Sequence, residues 1–209
     1  MTLRIKICGL TRAEDAAAAQ AAGAWALGYI FYPKSKRFIT PAAAAAIMPA
    51  GAQNTGIFVN QMAEIKSALA ACPLAAVQLH GDETPDDAKN LRSFFGGAII
   101  KAFRLQNTED AGHISAWQSA IDYALIDAAV AGHYGGTGKT ADWDLARRAK
   151  DSGIPLILSG GIDADNIAAA QENVAPFAFD LAGGVESAPG VKDHGRIQKL
   201  FDTSQRISA

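Results

Sequence analysis

The chain has 209 residues, 49% of them hydrophobic and 19% charged, and a formal net charge of −2. This length suits a single domain with a sizeable core, and we expect residues 1–209 to form one. The balanced charge and the lack of a long basic run exclude nucleic acid as an expected partner. No apolar stretch reaches the roughly 18 residues of a membrane helix, and the N-terminus lacks a signal-peptide pattern. We therefore expect a cytoplasmic protein without a membrane partner.

Two cysteines are present, Cys8 and Cys72, and neither belongs to a CxxC pair. Their separation argues against both a disulfide framework and a metal site, so we expect no bound metal. A reducing compartment is the simplest setting for two free thiols. Cys72 precedes a proline at a predicted helix end, and we interpret it as structural.

Short β-rich runs alternate with helical stretches along the whole chain. We predict eight strands, in chain order 3–8, 25–31, 54–59, 75–80, 98–103, 123–128, 155–160 and 177–182. Threonines at three helix starts are predicted N-caps, and they are Thr11, Thr40 and Thr84. Thr11 stands at the capping-box spacing from Glu14, while the other two precede a proline that suits the first helical position.

Strands alternating with helices predict βαβ units and a parallel sheet. Eight units of about 26 residues favour an α/β fold of the single (β/α)8 TIM-barrel type. The alternative is a doubly wound open sheet, which usually needs fewer strands for this length. That fold also predicts a GxGxxG motif after the first strand, where this chain has "CGLTRA".

Glycine pairs follow the seventh and eighth predicted strands: Gly160 with Gly161, and Gly183 with Gly184. Such loops leave backbone amides free to bind an anion, and these are the loops that hold phosphate in many barrels. A tight turn that needs a positive φ also explains either pair alone. Because both pairs stand in the expected loops, we predict a phosphorylated small molecule as ligand.

Cys8 ends the first predicted strand, on the same face as Lys6. If the isoleucines between them face the helices, the thiol points into the barrel at its catalytic end. A buried, inert thiol and a general base or nucleophile both remain open. Asp127 ends the sixth strand, across the mouth from Cys8, and is either a general acid or a loop carboxylate that caps an amide.

Two further side chains stand at strand ends. Arg37, in the loop after the second strand, offers a guanidinium that suits a substrate carboxylate, unless "KSKR" is simply a solvated loop. His80, at the end of the fourth strand, is either a structural side chain or a substrate contact.

These residues together resemble the phosphoribosylanthranilate isomerase family of tryptophan biosynthesis, over nearly the whole chain. The similar segments are "KICGLT" at 6–11, "GYIFYPKSKRFI" at 28–39, "GIFVN" at 56–60, "VQLHGDE" at 77–83, "LIDA" at 125–128, "GGTGKTADW" at 135–143, "LILSGGI" at 156–162 and "FDLAGGVESAPGVKD" at 179–193. No single segment is decisive, but their order on an eightfold βα pattern is specific.

The resemblance implies a TIM barrel and a cofactor-free Amadori rearrangement of N-(5-phosphoribosyl)anthranilate. By this similarity Cys8 is the base, Asp127 is the acid, and Arg37 meets the anthranilate carboxylate. Asp180 matches as a residue that supports the substrate site, and the last two loops hold the phosphate. Family members usually carry serines where this chain has Ala182 and Gly183, which puts phosphate affinity in question. A monomer and a homodimer are both compatible.

Three other functions compete with this interpretation. The isomerase of histidine biosynthesis performs the same chemistry with a pair of aspartates, which the cysteine at the first strand end argues against. A non-catalytic sugar-phosphate binder is disfavoured because Cys8, Asp127 and both glycine pairs are present. A cysteine hydrolase needs a histidine beside Cys8, and His80 is predicted several strands away.

Overall fold

The computed structural model describes residues 2–127 and 143–208, and eight parallel strands in it form a closed barrel in chain order. The strands are β1 Ile5–Cys8, β2 Ala26–Ile30, β3 Asn54–Phe58, β4 Ala76–Leu79, β5 Ala98–Arg104, β6 Tyr123–Asp127, β7 Leu156–Ser159 and β8 Ala178–Leu181. The ring closes because β1 pairs with β8, with Lys6 opposite Asp180. The predicted TIM barrel is confirmed, and the open sheet is wrong.

Eight α-helices in these residues surround the strands. They are α1 Ala13–Ala21, α2 Pro41–Ile47, α3 Ile65–Ala71, α4 Pro85–Arg92, α5 Thr108–His113, α6 Trp143–Ala149, α7 Ile167–Val174 and α8 His194–Ser208. A short hairpin, β9 Glu186–Ala188 with β10 Val191–Lys192, lies between β8 and α8. In the portions of the chain given above, no helix has both the length and the apolarity needed to cross a membrane.

Two of the three predicted threonine caps are confirmed. Thr40 accepts a hydrogen bond from the third residue of α2, and Thr84 forms a reciprocal capping box with Asp87 at the start of α4. The Thr11 prediction is wrong, because its hydroxyl donates to the Gly190 carbonyl at 2.6 Å. Helix α1 therefore starts after Arg12, which makes no side-chain cap bond. The Thr11 hydroxyl thus bonds to Gly190, which is distant in sequence, and not to an amide of the first turn of α1.

The apolar core has two layers. The larger layer fills the space between the strands and the helices, where alternate strand residues such as Ile5 and Ile7 are fully buried. The smaller layer fills the barrel interior, and it comprises Ala76, Ile100, Ala102, Leu125, Ile157 and Ala178. The alternation along β1 sends Lys6 and Cys8 the other way, toward the barrel axis. The predicted orientation of Cys8 follows from this pattern.

The capping box of α4 generates a stability prediction. Replacing Thr84 by alanine removes the acceptor for the Asp87 amide, so Thr84→Ala lowers the free energy of unfolding by about 1 kcal/mol. The measurement is urea unfolding followed by circular dichroism. Thr108→Ala is the control, because Thr108 is the first residue of α5 and follows its Asn107 cap. It changes the free energy of unfolding by less than about 0.5 kcal/mol. Equal losses in both variants would contradict the role of the cap.

Candidate active site

Two adjoining cavities open at the carboxyl ends of the strands. The larger is about 350 Å³, and its walls are Asp127, Ser159, Gly160, Gly161, Ile162, Asp163, Asp180, Leu181, Ala182, Gly183, Gly184 and Arg196. The smaller is about 90 Å³ and shares four of those residues. Its remaining walls are Cys8, Ile30, Tyr32, Ser35, Arg37, Ile57, Val59, Gln78 and His80. All nine residues that the sequence singled out as catalytic or binding therefore line one continuous groove.

The glycine pairs form the wall of the larger cavity. Gly160 and Gly161 have φ angles of 92° and 67°, which favour glycine because a Cβ is strained there. A 3-10 turn, Gly183–Val185, follows β8 at the same wall. A side chain on Gly184 would strike the Ile162 carbonyl oxygen at 2.1 Å. These loops bring uncharged, side-chain-free backbone directly to the cavity surface.

Arg196 is a cavity residue that sequence reasoning missed. It lies in the first turn of α8, lines the larger cavity, and donates a hydrogen bond to the Glu186 carbonyl. An arginine in an exposed helix start gives no local signal of function, because such residues are common on protein surfaces. Its place beside the glycine loops adds a positive charge where an anion would bind.

Cys8 is buried at the end of β1, and its sulfur packs against β2. A Cβ on residue 28 would lie only 2.9 Å from the Cys8 Sγ, so Gly28 leaves the space that the thiol occupies. Burial raises the pKa of Cys8, and the Asp180 carboxylate adds to the increase. The ammonium groups of Lys6 and Lys192 act in the opposite direction, since they stabilise the thiolate. Burial and three buried ionic side chains thus act together on the pKa of the thiol.

Lys6 and Asp180 form an ion pair inside the barrel, with 2.8 Å between Nζ and Oδ1. The Lys6 side chain is wholly inaccessible to solvent. Burial acts to lower the pKa of Lys6, but the Asp180 carboxylate outweighs it, and the pKa stands above its ordinary value. Lys6 therefore stays charged directly below Cys8. Asp180 also lines both cavities, whereas Lys6 lines neither, so Asp180 lies between Lys6 and any ligand.

His80 connects the fourth strand to Asp127. Gln78 Nε2 lies 2.8 Å from His80 Nδ1, so the Gln78 amide is hydrogen-bonded to the imidazole ring. His80 Nε2 is in turn 3.4 Å from Asp127 Oδ2. The histidine is thus oriented by one neighbour and directed at the carboxylate of another. It also lines the smaller cavity, so the structural and the substrate-contact interpretations both fit its position.

Arg37 reaches the smaller cavity from the loop after β2. Its Nε and Nη2 donate to the two carboxylate oxygens of Glu186, at 2.8 and 2.7 Å for the shortest pairs. Lys192 Nζ donates to the same carboxylate and to the Cys8 carbonyl oxygen. Burial acts to raise the pKa of Glu186, but these cations prevail and lower it. Sequence reasoning missed Glu186 and Lys192, although both belong to the "VESAPGVKD" segment.

Part of the sequence that carries the family resemblance lies outside the described residues. The segment 128–142 includes most of "GGTGKTADW", which carried part of the family resemblance. Within residues 2–127 and 143–208, no group of three or more His, Cys, Asp or Glu side chains is placed to hold a metal ion.

Comparison with known proteins gives consistent matches over the length of the chain. A family model described as N-(5'phosphoribosyl)anthranilate (PRA) isomerase matches residues 5–203. The isomerase of that name from Geobacter sulfurreducens is 45% identical over 205 residues, which cover 95% of this chain and 97% of the relative.

Solved structures agree with the sequence matches. The phosphoribosyl anthranilate isomerase of Thermus thermophilus superposes with a TM-score of 0.87 at 34% identity, and the match covers 98% of this chain and all of that one. A second isomerase structure, in complex with reduced 1-(o-carboxyphenylamino)-1-deoxyribulose 5-phosphate, gives a TM-score of 0.85 at 34% identity. That match covers 98% of this chain and 99% of the other.

The buried charges around Cys8 generate a prediction about thiol reactivity. Asp180→Asn removes the carboxylate that helps to raise the pKa of Cys8 and leaves the cation of Lys6 less neutralised. Because the thiolate is the reactive form, alkylation of Cys8 by iodoacetamide at about pH 7.5 becomes faster, by about tenfold for each unit of pKa. Mass spectrometry of the digested protein measures the rate at each cysteine.

Cys72 is the internal control in the same sample. Burial raises its pKa to about 11, and its sulfur donates to the Ala68 carbonyl, away from the ion pair. Its alkylation rate stays the same in parent and variant. A slower or unchanged reaction at Cys8 would contradict the electrostatic influence assigned to Asp180.

Proposed function

The chain belongs to the N-(5'-phosphoribosyl)anthranilate isomerase family, and we propose that the groove at its barrel mouth is where the substrate is converted. The product is 1-(2-carboxyphenylamino)-1-deoxyribulose 5-phosphate. One observation carries the proposal: Cys8 on β1 and Asp127 on β6 line the same cavity from non-neighbouring strands. A base and an acid so placed reach one small substrate from two sides. The working unit is one domain, residues 1–209, in the cytoplasm, as a monomer or a homodimer.

Asp127 is assigned the first proton transfer. Its carboxylic acid gives a proton to the ring oxygen of the ribose, and the bond between that oxygen and C1 breaks. The lone pair of the anthranilate nitrogen moves into the bond to C1, which leaves an open-chain Schiff base. His80, whose Nε2 lies 3.4 Å from Asp127 Oδ2, is placed to hold the carboxylate after it has lost its proton.

Cys8 is assigned the second transfer. Its thiolate takes the proton from C2 of the sugar, the released electron pair forms a double bond to C1, and the nitrogen becomes neutral. The resulting enolamine tautomerises to the ketone by protonation at C1. Because the substrate nitrogen accepts the electrons, the chain's own groups suffice for the proton transfers in this scheme, and it uses no cofactor. Lys6 and Lys192 support the thiolate charge that the step requires.

The two ends of the substrate are assigned to the two cavities. Arg37 in the smaller cavity suits the anthranilate carboxylate, which matches the planar fork of its donors. The phosphate is assigned to the glycine loops of the larger cavity, with Arg196 as an additional donor. Ala182 and Gly183 supply no hydroxyl here, so backbone amides and Arg196 carry the phosphate contacts in this proposal.

The assignment of acid and base is tested by two substitutions. Cys8→Ala and Asp127→Asn each lower kcat/KM by at least about a hundredfold, the scale for losing a general acid or base. The substrate is generated in situ, and the fall of anthranilate-type fluorescence measures turnover. Cys72→Ala removes the other buried thiol, which lines neither cavity, and keeps parental activity. Near-parental activity in Cys8→Ala or Asp127→Asn, with the fold intact by circular dichroism, would refute that residue's role.

The phosphate assignment is tested at Gly161. Gly161→Asp places a carboxylate against the phosphate, so KM rises at least about tenfold by charge repulsion. Gly51→Asp is the matched control, because Gly51 has a similar φ of 74° and nothing within 4 Å of its would-be Cβ. It shares the backbone strain of the variant but leaves KM unchanged. A KM in Gly161→Asp equal to that of the control would remove this loop from the phosphate site.

A further inference from the structure

A buried ionic network lies behind the cavity wall at Arg37. Its centre is Glu186, whose side chain is only 4% exposed. Arg37, which lines the cavity, donates to it through Nε and Nη2, and Lys192 Nζ, which is buried, donates to it at 2.8 Å. The backbone amide of Gly190 adds a third donor at 3.1 Å. No step of the proposed reaction uses Glu186 or Lys192.

The network leaves one edge of Arg37 free for a ligand. Its Nη1 makes no hydrogen bond with any residue in the described parts of the chain, although the side chain lines the smaller cavity. The guanidinium is a flat fork, so holding Nε and Nη2 also fixes the plane and direction of Nη1. Close packing acts in the same sense, since a Cβ on Gly9 would come within 2.5 Å of Arg37 Cδ.

Through Lys192, the network also contacts the end of β1, the strand that carries Cys8. Lys192 Nζ donates to the Cys8 carbonyl oxygen at 2.6 Å and to the Ala182 carbonyl oxygen at 3.2 Å. One buried ammonium thus ties the ends of β1 and β8 to Glu186. A long arginine in a loop would otherwise lose considerable rotamer freedom on binding a ligand.

We propose that Glu186 is a positioning residue that holds the Arg37 guanidinium ready for the substrate carboxylate, with Lys192 fixing Glu186 to the strand end at Cys8. This inference rests on the proposed function, in which Arg37 binds that carboxylate. Glu186 itself touches no reacting atom in this scheme. Its loss therefore weakens binding of the carboxylate and leaves the proton transfers nearly unchanged.

Glu186→Gln is the principal variant. An amide replaces one carboxylate oxygen by an NH2 group, and because Arg37 donates to both oxygens, either orientation turns N–H groups toward the guanidinium and breaks one arm of its fork. We expect KM for N-(5-phosphoribosyl)anthranilate to rise about tenfold and kcat to stay within about threefold of the parent. The same measurements use N-(5-phosphoribosyl)aniline, a substrate without the carboxylate. Its KM is expected to be the same for parent and variant.

Two further variants complete the experiment. Arg37→Met is expected to show the same carboxylate-dependent rise in KM. Asp122→Asn removes a carboxylate paired with Arg92 at the opposite end of the barrel and is expected to change KM for neither substrate. If Glu186→Gln fails to fold, Glu186→Asp replaces it, because it keeps the buried negative charge but shortens the side chain by one methylene, so the two-point contact with Arg37 is not held in the same geometry. The same carboxylate-dependent rise in KM is expected.

The outcomes separate the two proposals. Equal increases in KM for both substrates in Glu186→Gln would show a merely structural role, and an unchanged KM for both would show no role. Either result overturns the positioning of Arg37 if Arg37→Met shows its expected effect. If Arg37→Met itself makes no distinction between the substrates, the carboxylate assignment falls, and the inference about Glu186 falls with it.

Discussion

The ion pair between Lys6 and Asp180 is the interaction on which the site depends. It joins the first and last strands of the barrel at the pair where the ring closes. Two charges buried this deeply cost free energy to desolvate, and removing one partner typically destabilises a protein by about 3–5 kcal/mol. Apolar residues could fill this part of the barrel interior, since the neighbouring layer of the interior is apolar. The charges are therefore better explained by the thiol above them than by stability.

The groove divides into a half where two glycine loops form part of the wall and a half where buried ion pairs surround the reactive side chains. At the larger cavity, the glycines remove steric obstacles and expose backbone beside Arg196. At the smaller cavity, buried carboxylates and cations hold one another in fixed geometry around Cys8 and Arg37. A phosphate group can be bound at a general anion site, whereas proton transfer requires groups that are held at defined positions. The hairpin β9–β10 stabilises the second half, because it supplies both Glu186 and Lys192.

Much of the fold was predictable because its signals are local or periodic. Strand ends fell within about two residues, since β-rich runs and glycine punctuation lie next to each other in the sequence. The inward direction of Cys8 followed from simple alternation along β1. The glycine pairs were predictable because a barrel places the ends of all its strands at one mouth. Family resemblance then assigned roles that spacing alone left open.

Long-range contacts were not predictable in the same way. The Arg37–Glu186 pair spans 149 positions, and the Thr11–Gly190 bond that displaces the predicted cap spans 179. Nothing in the local pattern around either residue indicates its partner. Arg196 was missed for a related reason, because only the folded chain brings the start of α8 to the glycine loops.

A single-turnover experiment with Cys8→Ser tests most directly whether the Cys8 thiolate removes the sugar proton. Serine keeps the size and polarity of the side chain but is a far weaker acid, so almost no alkoxide forms to act as the base. With enzyme in excess over substrate generated in situ, fluorescence reports the chemical step without product release. We expect no decay above the spontaneous rate, although the variant still binds the substrate. A decay at the parental rate would contradict it and leave Cys8 as a packing residue.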